Sequence, residues 1–345
     1  MRLRSGPAFA LLLVLALAFA MRSLGFEWVF VDADTVVFAP GDAQYHLRRI
    51  LYAWTNFPDF LFFDRYINYP DGAAVSWPPL FDFALAAAMR LLARDPGTFE
   101  RLVAWAPPVL GTLTVLPVFA VARRLGGPGL ALGAAALLAL LPMSVTYSRV
   151  GQLDHHCAVA LIGACLLYVV ARLVAGEGSS RWLGAGLAAG RAAILLTWHG
   201  SLLHLALVEG ILWIAAAMTG RREIYAAQAW SAVATLLLVA PLVWMLPEPL
   251  GGAYSGIALS RLHVLAVGAV AAVSAGMWWL EGRSDLTPIR RLVATAGLGV
   301  VVVAALAALP GPRAGLEPAL RFLTMTDAVG LRTGEQLPLF RSSDA

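Results

Sequence analysis

Long apolar runs separated by short, arginine-bearing gaps dominate this chain. They cover residues 102–121, 129–147, 157–174, 182–198, 201–218, 225–245, 259–280 and 292–310, each close to the about 20 residues a transmembrane helix needs. Another run, 7–24, follows two arginines and has the charged start and small-residue end of a signal peptide. Its about 18 apolar residues are enough to span, so a retained anchor is expected. The pattern predicts an all-α polytopic membrane protein with about nine transmembrane helices. A last apolar stretch, 79–93, is short, carries Asp82 and Arg90, and follows Pro78 and Pro79.

Whether 79–93 crosses the membrane decides the side of every later loop, and arginine placement arbitrates because short cytoplasmic loops collect positive charge. If it does not cross, Arg2, Arg4, Arg123, Arg124, Arg172, Arg181, Arg221, Arg222, Arg283, Arg290 and Arg291 all fall on the cytoplasmic side. The opposing short loops then hold only Arg149 and Arg261. If it does cross, nearly all of these except the first pair move outside, against the rule. The expected organisation is therefore an N-terminal anchor (1–24), a long first external loop with short helices (25–101), a transmembrane bundle (102–310) and an external C-terminal segment (311–345). The helix at 79–93 is expected to lie in or on the bilayer surface. Asp42, Asp154 and Glu335 then converge on one extracytoplasmic face.

Composition supports the membrane reading and removes others. The chain is 60% hydrophobic and only 13% charged over 345 residues, with a mean hydropathy of +0.75, whereas soluble domains are about a quarter charged. All 25 basic residues are arginine, and a net charge of +4 is too small and too dispersed for a nucleic-acid surface. Cys157 and Cys165 lie on one predicted helix with backbones about 12 Å apart along it, too far for a disulfide. Both are expected to be small buried hydrophobes.

Several polar islands interrupt the apolar pattern. GDAQYHLRR (41–49) is a turn glycine, an acid placed to cap a helix, then Tyr45, His46, Arg48 and Arg49 on its first turns. Alone, it is equally a solvated cap. RYINYPDGAAVSWPPL (65–80) reads as an ordered loop. SRVGQLDHHCAV (148–159) sets an aspartate and two histidines where a helix re-enters the membrane, which is costly unless they are paired, hydrated or metal-bound. Asp154 and His156 reach one ion only if the backbone between them is not helical. TWHGSLLH (197–204) fits an interfacial aromatic belt, and TGEQLPLF (333–340) follows a glycine-bearing stretch. Arg191, inside an apolar run, must face a partner or snorkel.

In order, GDAQYHLR, INYPDGAAVSWPPL, SRVGQLDHH, TWHGS and GEQLPL make the chain resemble the catalytic-subunit family of oligosaccharyltransferases. These are multispan, GT-C-type inverting glycosyltransferases that move a lipid-linked oligosaccharide onto asparagine. The resemblance covers essentially the whole chain but only the membrane half of the family's architecture. The family's soluble C-terminal domain with its W-W-D motif is expected to be absent. The likeness implies a GT-C-like bundle, and a cofactor that is Mg²⁺ or Mn²⁺. It implies that Asp42 binds the metal and contacts the acceptor amide, and that Asp154 is a metal ligand. It also implies that Glu335 contacts the acceptor asparagine. His156 stands where the family usually has a second acid, and its imidazole would suit Mn²⁺ better than Mg²⁺.

The implied partners are a lipid-linked oligosaccharide on a polyprenyl or dolichyl pyrophosphate, an acceptor polypeptide with N-x-Ser/Thr, and membrane lipid, at the outer face of a prokaryotic cell membrane. Arg48 and Arg149 are candidates for pairing with pyrophosphate, and Arg149 equally for local charge balance. The chemistry suits carboxylates: acids bonding both amide hydrogens weaken the conjugation that makes an asparagine nitrogen a poor nucleophile. Three readings stay open: an oligosaccharyltransferase or a fragment of one, a related polyprenyl-phosphate-sugar glycosyltransferase with another acceptor, and a non-catalytic paralogue or carrier.

Overall fold

The structure is a computed structural model that describes residues 5–249 and 251–323. Among the described residues fourteen α-helices follow one another: α1 (Ser5–Ser23), α2 (Asp42–Thr55), α3 (Leu80–Leu92), α4 (Pro96–Val103), α5 (Ala106–Leu113), α6 (Val115–Leu140), α7 (Pro142–Thr146), α8 (His156–Val174), α9 (Ser180–Thr197), α10 (Ser201–Thr219), α11 (Arg222–Met245), α12 (Arg261–Glu281), α13 (Pro288–Ala307) and α14 (Pro310–Leu323). The described strands are β1 (Phe63–Asp64) and β2 (Ala73–Ala74), paired antiparallel with Phe63 opposite Ala74.

Seven helical segments among the described residues are long and apolar enough to cross a membrane, and the chain is an integral, multi-pass membrane protein. One of them, Pro96–Leu140, is broken where Gly126 and Gly127 leave the helical region, the second at φ 75° and ψ −168°. That break falls between the two spans expected at 102–121 and 129–147, next to Arg123 and Arg124. α9 stands outside the seven because Arg181 and Arg191 make it less apolar. Counting the two arms of the broken segment separately and adding α9 recovers the expected number of passes. α3 has 13 residues, about 20 Å of helix, too short to cross about 30 Å of hydrocarbon.

The chain divides into two compact units, residues 1–61 with 78–212 and residues 62–77 with 213–345, the boundary falling within α10. In the first unit, small residues let α1 and α6 approach closely: Ala18, Ala131, Ala135 and Ala139 are all fully buried, around Val115 and Phe119. Arg22, buried near the end of α1, donates to Ser148 Oγ (2.8 Å), Ser144 Oγ (2.8 Å) and the Ala18 carbonyl (3.0 Å). It therefore anchors the start of the 148–155 turn. Arg191 of α9 forms a bidentate pair with Glu209 of α10, Nε to Oε1 and Nη2 to Oε2, both 2.7 Å. The intramembrane arginine thus has its partner. Cys157 is buried as expected, whereas Cys165 is exposed on the surface of α8, because eight residues along a 3.6-residue helix do not return to the same face.

In the second unit α11, α12 and α13 pack in sequence. Trp213 Nε1 donates to Ser274 Oγ (3.0 Å), Arg291 pairs with Glu281 (2.9 Å), and Ser260 with His263 forms a capping box at the start of α12. Gly315 of α14 lies so close to the Tyr254 carbonyl that an added Cβ would sit 1.9 Å from its oxygen.

Candidate metal centre

α2 begins at Asp42 directly after Gly41, whose φ of 81° and ψ of −127° only glycine adopts cheaply. Asp42, His46 and Arg49 then recur at four and three residues, so they share one helix face. Apolar neighbours Ala43, Ile50, Ala53 and Trp54 are buried with His46 and Arg49. Opposite them, in the first turn of α3, Asp82 is completely buried. Its Oδ1 is 2.7 Å from His46 Nδ1 and its Oδ2 is 2.7 Å from Arg49 Nη1. Phe81 places its ring edge-on to His46, and Arg49 lies over the Phe60 ring at 4.9 Å.

The second half comes from the turn that feeds α8. Backbone bonds tie it to three elements: Val150 N to the Arg22 carbonyl (2.8 Å), Gly151 N to the Ala104 carbonyl (3.1 Å), and Ala39 N to the Gly151 carbonyl (3.0 Å). The last bond sets the entry to α2 beside this turn. Asp154 precedes the helix, so the backbone from Asp154 to His156 is not a helical turn, the condition the sequence set for a shared ion. Asp154 Oδ1 lies 2.8 Å from His155 Nδ1 and 4.0 Å from His46 Nε2, while Oδ2 lies 3.9 Å from His156 Nε2. His46 Nε2 and His155 Nδ1 are 3.0 Å apart. One ligand atom from each of His46, Asp154 and His155 lies within 4.8 Å of the others, and all three residues are buried.

Proton accounting shows what this arrangement wants. In the neutral tautomer that donates Nδ1–H to the Asp82 carboxylate, the other ring nitrogen of His46, Nε2, is an acceptor. It faces an imidazole nitrogen and a carboxylate, and at most one proton lies between the two nitrogens. A cation satisfies such a convergence of lone pairs, so the residues fit a divalent metal. Two imidazoles with one carboxylate favour Mn²⁺, Zn²⁺ or Co²⁺ over Mg²⁺. Burial alone would raise the Asp154 carboxyl, but the His155 hydrogen bond and the neighbouring histidines outweigh it and leave it at about 2. Burial pushes His155 below the usual imidazole value. Both groups are thus held in their ligand forms near neutrality.

The expected site residues are placed as follows. Asp154 lies in the buried group, and half-buried His156 begins α8 beside it, its ring against Tyr147 and Trp198. Asp42 is exposed at the start of α2, one turn before His46 on the same face. Arg48 and Arg149 are exposed, on α2 and on the turn before Asp154. Glu335 lies outside the described residues. His46, Asp82 and His155 were not among the expected ligands. The four- and three-residue spacing from Asp42 and the lone acid of an apolar 79–93 stretch were the signals for the first two.

The N-terminal family model of the STT3 oligosaccharyl transferases matches residues 9–305. Dolichyl-phosphooligosaccharide-protein glycotransferase 1 of Archaeoglobus fulgidus is 31% identical over 164 residues, 46% of this chain and 26% of the relative. The structure of Archaeoglobus fulgidus AglB with an inhibitory peptide and a dolichol-phosphate superposes with a TM-score of 0.84 at 19% identity, covering 98% of this chain and 41% of that one. A structure of the Archaeoglobus fulgidus oligosaccharyltransferase with Zn and sulfate gives 0.71 at 21% identity, over 93% of this chain and 40% of that one. At these identities the structures establish a shared membrane fold, and the chain spans well under half the length of each of these relatives.

Proposed function

We propose, from the premise that this chain belongs to the STT3 oligosaccharyl transferase family, that it is the membrane part of a metal-dependent inverting glycosyltransferase. In this reading an oligosaccharide leaves a polyprenyl or dolichyl pyrophosphate and joins the asparagine of an N-x-Ser/Thr segment at the extracytoplasmic face. The carrying observation is the buried convergence of His46, Asp154 and His155 beside the turn of α2 that presents Asp42. The relatives named for dolichyl-linked glycan, bound dolichol-phosphate and bound Zn support the same chemistry.

Asp154, His155 and His46 would hold the divalent ion, with His156 at the second Asp154 oxygen. Such an ion supplies positive charge against the departing phosphate. Exposed Asp42 accepts hydrogen bonds from the acceptor amide, turning its nitrogen toward the sugar. Glu335 adds a second carboxylate to that amide. Arg48 and Arg149 offer guanidinium groups to the pyrophosphate.

The test is transfer of a lipid-linked oligosaccharide to an N-x-Thr peptide by the purified chain with Mn²⁺, scored by the mass of the glycopeptide. Asp154→Asn is expected to lower the rate at least about a hundredfold. Transfer that survives Asp154→Asn unchanged, or glycan appearing on some other acceptor, sinks this reading.

A further inference from the structure

We infer that His46 is a metal ligand and that Asp82, clamped by Arg49, is the positioning residue that aims it; this rests on the metal-dependent reading above. Nothing in the sequence resemblance involves Asp82, which there was only an obstacle to a membrane span.

The geometry separates this from a plain interhelical salt bridge. Arg49 and Asp82, 2.7 Å apart and almost wholly buried, would by themselves join α2 to α3. Yet Asp82 also engages His46 Nδ1 at 2.7 Å with its other oxygen. That contact fixes the ring and turns its other nitrogen, Nε2, toward Asp154 Oδ1 at 4.0 Å and His155 Nδ1 at 3.0 Å, the carboxylate–histidine arrangement that orients a metal-binding imidazole. A histidine that served packing alone would not need its second nitrogen turned toward a carboxylate and another imidazole. The carboxylate behind it holds the ring in plane and in position. Arg49 in turn holds Asp82 in place, and the Phe81 ring packs against His46. Guanidinium, carboxylate, imidazole and the 154–155 turn thus follow one another in contact, with Arg49 as the outermost support.

The experiment is Co²⁺ titration of the full chain in detergent, followed by visible absorption, with Zn²⁺ competition by equilibrium dialysis and thermal melting on the same samples. The unaltered chain should bind Co²⁺ with the intense bands of a nitrogen-rich, low-coordinate site. Asp82→Asn keeps the shape but removes the charge, and should weaken binding about 10–100-fold. His46→Gln should weaken it at least as much and change the spectrum. In Arg49→Met with Asp82→Leu, apolar groups replace the buried pair, so folding is expected to survive while affinity falls as in Asp82→Asn. A purely structural role predicts the reverse, altered melting with unchanged Co²⁺ affinity and spectrum, and would overturn the inference while leaving the metal-dependent reading intact. An unaltered chain that takes up neither Co²⁺ nor Zn²⁺ overturns both.

Discussion

Besides Arg22, which is held by hydroxyl and carbonyl oxygens, the first unit buries charge in two places among the described residues, and their contrast separates structure from chemistry. Between α9 and α10, one guanidinium meets one carboxylate through two parallel 2.7 Å bonds, with side chains 1% and 0% exposed. The charges cancel and both carboxylate oxygens are used. Between α2, α3 and the start of α8, two carboxylates and three imidazoles gather, and the Arg49 guanidinium pairs with one of them, Asp82. His155 Nε2 is buried there with no hydrogen-bond partner. A closed pair joins helices. An excess of electron-pair donors, each costly to desolvate, is retained where something binds.

The largest expected effect tests the closed half of that contrast. Glu209→Ala leaves the buried Arg191 charge without its carboxylate, and should cost about 3–5 kcal/mol, read as a collapse of the melting temperature in detergent. Arg191→Met with Glu209→Leu removes both charges and should restore stability to the unaltered level or above, with metal affinity untouched. If that double variant also loses metal binding, the two regions are coupled and the contrast fails.

The same contrast explains what could be read from sequence. Spans and breaks were legible because hydropathy and helix length act locally: the interruption at Gly126 and Gly127 and the short 79–93 helix both follow from composition. That Asp154 needs polar partners was legible because an acid beside two histidines at a membrane boundary is expensive, and the structure gives it His155 at 2.8 Å. His155 was passed over because the resemblance pointed to its neighbour, His156. Asp82 was unreadable as a site residue, since its meaning depends on α3 folding back against α2, and no local pattern encodes that pairing. Arg191 was legible as a residue in need of a partner, but only the α9–α10 packing identifies Glu209.

A smaller effect should come from the turn that holds the open centre. Gly151 has φ +76°, and an added Cβ would lie 2.8 Å from Val29 Cγ2 and 3.4 Å from the Val37 carbonyl oxygen. Gly151→Ala should therefore cost about 1–3 kcal/mol of stability. It should also weaken metal binding several-fold, because Gly151 bonds both Ala104 and Ala39. Gly186→Ala, on the helix of the closed pair, meets only the Val169 side chain at 3.2 Å. It should change melting by less than about 1 kcal/mol and leave metal affinity unchanged. Equal effects of the two on metal affinity would show that Gly151 does not shape the centre.

The smallest effect distinguishes the rims. Arg149 is exposed one turn before Asp154, and Arg181 is exposed at the start of α9, on the helix of the closed pair. Neither is buried, so Arg149→Gln and Arg181→Gln should each move stability by less than about 0.5 kcal/mol. If Arg149 pairs with the anionic carrier, its removal raises the donor KM by less than about tenfold, and the difference shrinks as salt is added, because an exposed charge pair is screened. Arg181→Gln then leaves the donor KM unchanged. Equal KM shifts would mean that both arginines act through general attraction to anionic lipid rather than through the carrier, and the open centre would lose its claim to a specific phosphate partner.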